Sequence, residues 1–133
     1  NDDHHPHTGG GLFLRSRDMA KFGLLYLRQG RWEDEQLVPE ALVEESLQEH
    51  VDLRYLGRAF ITGYGYLWWI MQPDPQGDGQ TDIFAACGAH GQYIFVIPGL
   101  ELVVAFTGHN YEPGPGISNL YRMMQDFILP AIG

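Results

Sequence analysis

The sequence predicts an α+β fold, an antiparallel β-sheet of about four strands with helices packed on it. Three observations lead there. Four short segments between residues 64 and 107 are rich in apolar and aromatic side chains and are joined by short connections, which suit antiparallel pairing. Apolar residues at helical spacing occupy 16–29 and 39–50 before these segments and 117–129 after them. Pro98-Gly99, between the last two strand candidates, suits the centre of a type II turn, because proline sets φ near −65° and glycine accepts a positive φ.

Taken in order, residues 1–11 are polar and then glycine-rich (Thr8-Gly9-Gly10-Gly11), which predicts a loop. Ser16 is a good N-cap for a helix over 16–29, and Gly30 is its expected stop. Arg17, Asp18, Lys21, Arg28 and Gln29 fall on one narrow arc of that helix. Met19, Ala20, Phe22, Gly23, Leu24, Tyr26 and Leu27 cover the rest, so the helix is expected to be mostly buried. Gly30 to Gln36 predicts a turn or short hairpin. Pro39 then opens a second helix over 39–50, with Leu42, Val43 and Leu47 facing inward. The predicted strands are Tyr64–Met71, Asp82–Cys87, Gln92–Ile97 and Glu101–Thr107. A Pro/Gly-rich loop at 73–79 ends the first of them. In the last helix Ile117, Leu120, Tyr121, Met124 and Ile128 form the apolar stripe, with Asn119, Arg122, Gln125 and Asp126 on the wet side.

Composition narrows the function. With 133 residues, 44% apolar and 13% aromatic, the chain is one globular domain or part of a larger one. A net charge of −9, without any cluster of Lys and Arg, repels phosphate backbones and argues against nucleic acid as a partner. No apolar stretch reaches the ~20 residues of a membrane span. The start, Asn1-Asp2-Asp3-His4-His5, is polar, lacks Met and does not resemble a signal peptide, which suggests a chain cut from something longer. The sequence leaves open a bacterial cytoplasm or periplasm. Cys87 is the single cysteine, so no internal disulfide can form.

Several residues invite chemistry. His90 could carry protons or touch substrate in a cleft, or it could satisfy turn carbonyls beside Gly91. Cys87 stands three residues earlier, but alternate residues of a strand point to opposite faces, and a buried apolar thiol is the expected role. His4, His5 and His7 lack the spacing of a defined zinc site, so neither a metal nor any other cofactor is expected. Trp68 and Trp69 should point to opposite faces of one strand, both into core. Gln92, at the start of a strand, is expected to be structural. The acidic pieces Glu33-Asp34-Glu35 and Glu44-Glu45 are expected to be solvated faces.

Two stretches carry a resemblance. The first is Gly10-Gly11-Leu12-Phe13-Leu14-Arg15-Ser16-Arg17-Asp18-Met19-Ala20-Lys21-Phe22-Gly23-Leu24-Leu25-Tyr26-Leu27, continued by Gly30-Arg31-Trp32 and Leu37-Val38-Pro39-Glu40. The second runs from Tyr64-Gly65-Tyr66-Leu67-Trp68-Trp69 through Gly88-Ala89-His90-Gly91-Gln92-Tyr93 to Ile97-Pro98 and Glu101-Leu102-Val103. In this order they resemble the β-lactamase-like serine hydrolases: class C β-lactamases, related esterases and 6-aminohexanoate-dimer hydrolases. The resemblance implies that residues 1–133 are the C-terminal portion of a β-lactamase/transpeptidase-like fold. It also implies a mechanism in which a serine of a Ser-x-x-Lys motif attacks an ester or amide carbonyl, with lysine and tyrosine moving the protons.

Neither motif is in this chain. Ser16, Ser46 and Ser118 are followed three places later by Met19, Glu49 and Tyr121, and no tyrosine opens a Tyr-x-Asn or Tyr-x-Ser motif. The chain alone is therefore expected to be inactive. The resemblance assigns it the strand at the active-site edge, with the backbone N–H of Ala89 as one oxyanion donor. His90 is a further catalytic candidate, and Gly88, Gly91 and, loosely, Asn110 are substrate-binding candidates. Ala86 stands where β-lactamases carry the lysine that faces the drug carboxylate, which favours an esterase or amide hydrolase. The expected substrate is a small-molecule ester or amide. The expected partner is the missing N-terminal half or a second copy, since the apolar helix and Trp68-Trp69 would otherwise leave a large exposed apolar face. The alternative is a non-catalytic domain of the same fold, acting as a binding or oligomerisation module.

Overall fold

The computed structural model describes residues 11–58, 60–72, 82–89, 91–108 and 121–132. Its first helix, α1, spans Ser16–Leu27. It ends as Gln29 N–H donates to the Tyr26 carbonyl (3.0 Å) and Gly30 N–H to the Leu25 carbonyl (2.8 Å). The left-handed residue that first turns the chain is Gln29 (φ 53°), with Gly30 (φ 82°) following it, so the stop expected at Gly30 is shared. The N-terminus differs from expectation. Arg15 is the cap, Ser16 is the first helical residue, and no side chain caps the end.

A two-stranded hairpin follows, β1 (Arg31–Trp32) paired with β2 (Glu35–Gln36), then helix α2 (Glu40–Leu47) behind Pro39. Val43 and Ser46 are the buried residues of α2, whereas Leu42, expected inward, is exposed. The acidic runs at 33–35 and 44–45 are exposed.

Among the described residues the sheet has six strands rather than about four, all antiparallel and in chain order: β3 (Val51–Asp52), β4 (Ile61–Tyr64), β5 (Trp69–Met71), β6 (Ile83–Cys87), β7 (Tyr93–Ile97) and β8 (Leu102–Phe106). The segment expected as one strand over Tyr64–Met71 is instead the end of β4, a turn, and β5. The turn closes with Gly65 N–H on the Trp68 carbonyl (2.8 Å), and Leu67 takes φ 66°. Residues 51–63, for which the sequence predicts no helix or strand, contribute β3 and most of β4. The β7–β8 hairpin is present, but its turn is a 3₁₀ turn over Pro98–Leu100, and Glu101 (φ 48°) takes the positive φ expected of Gly99.

Strand alternation sorts the core into two layers. Ile83 and Ala85, then Tyr93, Phe95 and Ile97, join a cluster with Ile61, Met71, Tyr121 and Met124, against which Leu102, Val104 and Phe106 pack. The alternate residues Ile94 and Val96, flanked by Phe84, Ala86, Val103 and Ala105, meet Met19 and Trp68 on the α1 side. Helical elements thus cover both faces, and β7 is buried at every position. Trp68 and Trp69 do divide between the faces. Trp68 is buried under α1 against Tyr26, with ring centroids 4.5 Å apart, and half-buried Trp69 packs on the opposite cluster.

The seat of α1 depends on Gly23. A Cβ there would lie 2.6 Å from Val103 Cγ1 and 2.8 Å from Ile94 Cγ2, so only glycine lets the helix descend onto β7 and β8. The helix is less enclosed than expected, with Met19 and Gly23 buried and Phe22 exposed.

The C-terminal segment runs from a helical turn at 121–123 through a π-helical stretch, Met124–Ile128, to a 3₁₀ turn, Leu129–Ala131. Tyr121 and Met124 face the core, with Ile128 half-buried, while Arg122, Gln125 and Asp126 are exposed. Ile117, Leu120 and Asn119 lie outside the described residues, as do residues 1–10 of the first loop and the whole of 73–81.

Candidate active site

The strand that the sequence singles out is β6, in the middle of the sheet between β5 and β7. Its last residue, Cys87, pairs with Tyr93 at the start of β7. Beyond that pair, Gly88 N–H donates to the Gln92 carbonyl at 2.7 Å, closing a tight connection that contains Ala89 and Gly91. Gly91 adopts φ 98°, which side chains rarely tolerate, and it is buried. Ala89 is an exposed residue just past the end of β6, between the Cys87–Tyr93 pair and the buried Gly91.

Three further contacts hold this corner. The Gln92 side-chain amide donates through Nε2 to the Gly108 carbonyl at 2.7 Å. Gly108, just past the end of β8, lies so close to Gly91 that a Cβ on it would sit 2.9 Å from the Gly91 oxygen. Thr107 Oγ1 lies 3.2 Å from Ser16 Oγ, joining the end of β8 to the first turn of α1. The sequence shows no sign of the Ser16–Thr107 pair, since it spans 91 positions of chain.

The remaining candidates divide clearly. Gly88 and Gly91 are at the turn with Ala89. Ala86 pairs with Ile94 and packs toward the α1 side, while Cys87 lies on the opposite face. Burial pushes the Cys87 thiol up to about 12, so it is a neutral thiol near neutral pH and a poor nucleophile. Ser46 is buried and donates to the Val43 carbonyl at 2.8 Å, a helix-internal bond. His90 and Asn110 lie outside the described residues, as do His4, His5, His7 and Ser118. Among the described residues there is no group of three or more His, Cys, Asp or Glu side chains able to hold a metal ion. No helix among them is long and apolar enough to cross a membrane.

Comparison with known proteins gives this architecture a family. The β-lactamase family pattern matches residues 1–125, and the chain belongs to that family. Among solved structures, a Bacillus anthracis protein assigned as a 6-aminohexanoate-dimer hydrolase superposes with a TM-score of 0.60 at 27% sequence identity. The match covers 85% of this chain and 28% of that one, so the chain spans little more than a quarter of its length. No curated protein matches the chain. The protein is a β-lactamase-like hydrolase-family chain with an antiparallel sheet flanked by helices.

Proposed function

We propose that this chain supplies the oxyanion-hole strand of a serine acyl hydrolase acting on a small ester or amide, and that the nucleophile and base lie in another part of the same enzyme. The observation that carries the proposal is the exposed position of Ala89 just past the end of β6, beside the fully buried strand β7. A turn closed by the Gly88–Gln92 bond, with Gly91 accommodating the positive φ, helps to keep a donor's direction constant, which is what oxyanion stabilisation requires.

In this reaction a serine Oγ forms a bond to the substrate carbonyl carbon as its proton passes to the base. The carbonyl oxygen becomes an oxyanion held by the Ala89 N–H and by the serine's own N–H. Collapse expels the alcohol or amine, which takes up that proton, and water then releases the acid and frees the serine. Gly88 and Gly91 would leave room for substrate beside the backbone. His90 is proposed as a further contact or proton carrier, and Asn110 as a substrate contact. The Bacillus anthracis neighbour's assignment as a 6-aminohexanoate-dimer hydrolase, and the absence of a lysine at Ala86, both support an ester or amide over a β-lactam as substrate.

The same proposal has the chain associating with the remainder of the hydrolase or with a second copy. Exposed Leu12, Phe13, Leu14 and Phe22 support this, as does the outer edge of β8, which pairs with no other strand among the described residues.

The test uses p-nitrophenyl esters. The chain alone should show neither turnover nor an acyl burst. A polypeptide that joins it to a Ser-x-x-Lys segment should be active. In that active form Ala89→Pro, which removes the N–H, should lower kcat by roughly 10²–10³ with KM little changed. Hydrolysis by the isolated chain, or full activity in the proline variant alongside an unchanged fold by circular dichroism, would refute the reading.

A further inference from the structure

Resting on the reading of Ala89 as an oxyanion donor, we propose that Gln92 is the positioning residue that fixes that donor's direction. The regular ladder between β7 and β8 stops at the Tyr93–Phe106 pair. One residue further out, Gln92 continues it with its side chain, since Nε2 donates to the Gly108 carbonyl at 2.7 Å. The main chain of the same residue accepts the Gly88 N–H, also at 2.7 Å. A single residue therefore ties the start of the Ala89 connection to β8.

The glycines around it show that this arrangement is filled. A Cβ on Gly88 would lie 2.8 Å from Gln92 Oε1 and 3.1 Å from Gln92 Cβ, so the side chain of Gln92 occupies the space a residue at 88 would need. Gly108 in turn rests against the Gly91 backbone. The Gln92 amide thus lies between Gly88 and Gly108. Gln92 is half-buried, so its bond to Gly108 is shielded from competing water. It touches no reacting atom. Its effect would pass through the backbone of Gly88 to Ala89, and a donor misplaced by about 1 Å can cost up to ~10²-fold in rate.

Three variants separate this role from space-filling. Gln92→Met keeps most of the volume and loses the donor, Gln92→Glu keeps the shape and presents only acceptors to the Gly108 carbonyl, and Gln92→Asn keeps the amide on a shorter stem. In the chain alone, Gly88 amide hydrogen exchange should accelerate roughly tenfold or more in the Met and Glu variants, with Phe95 exchange unchanged. In the active hydrolase the same two variants should lower kcat about tenfold or more while KM stays within about twofold, and Gln92→Asn should recover part of the loss. Unchanged Gly88 exchange in Gln92→Met and Gln92→Glu would overturn the assignment of Gln92 and leave Ala89 untouched. Faster exchange with unchanged kcat would overturn the catalytic reading of Ala89, and this assignment with it.

Discussion

Cys87 occupies the last position of β6, one residue before the turn that bears Ala89, and its surroundings decide its chemistry. Its Sγ has only a weak contact of 3.9 Å with the Ala85 carbonyl, and burial pushes its ionisation up to about 12 from the ordinary value near 8.5–9. The folded state therefore holds this proton more tightly than the unfolded chain does. The stability it contributes is present below about pH 9 and is lost as pH rises toward 12. Tyr121, buried and stacked on Phe60, is pushed up to about 12 in the same way and adds to the alkaline loss. Urea titrations across pH 8 to 11 should show stability falling with pH, and falling less steeply in Cys87→Ala. Iodoacetamide at neutral pH should label the native thiol at least ~100-fold more slowly than the unfolded one. Equal labelling rates would contradict the burial argument.

At the level of elements, the contact of α1 with β7 and β8 reverses an ordinary rule. Replacing glycine by alanine inside a helix normally stabilises it by about 1 kcal/mol. At Gly23 the new methyl would meet Val103 and Ile94, whose β-branched side chains have little rotamer freedom with which to yield. Overpacking of this kind costs about 1–3 kcal/mol, so Gly23→Ala should lower stability by about 1 kcal/mol net, read as a lower urea midpoint at constant slope. A raised midpoint would show that α1 shifts freely on the sheet. The helix's apolar pattern was readable in the sequence, and so was the β6–β7–β8 order. The β4–β5 hairpin was not. Its turn places Leu67 at φ 66°, a conformation that residue type does not advertise, and it interrupts what reads as one aromatic strand.

On the scale of the whole molecule, six strands in chain order form a sheet with helical elements on both faces, and among the described residues no strand pairs with the outer edge of β8. Leu12, Leu14 and Phe22 are about half exposed or more, and Phe13 is 99% exposed. Apolar surface of this kind associates in water. The isolated chain should bind an anilinonaphthalene dye and show a concentration-dependent mass by light scattering. A Phe13→Ser/Phe22→Ser double variant should lose much of both while its unfolding free energy moves by about 1 kcal/mol or less. A strictly monomeric, dye-silent chain would remove the support that this surface gives to a partner.

Local rules were enough to read an antiparallel α+β chain, because period-2 and period-3.6 patterns depend only on which residues must face a core. They also left residues 88–91 as the connection between two strands, and the family resemblance marked Gly88, Ala89 and Gly91 there as site residues. The tertiary structure alone decided the strand count, the exposure of Phe22 and Leu42, and the ties that hold the turn. Ser16 meets Thr107 and Gln92 meets Gly108 across long stretches of chain, and a hydrogen bond of that kind leaves no periodic trace in the residues it joins.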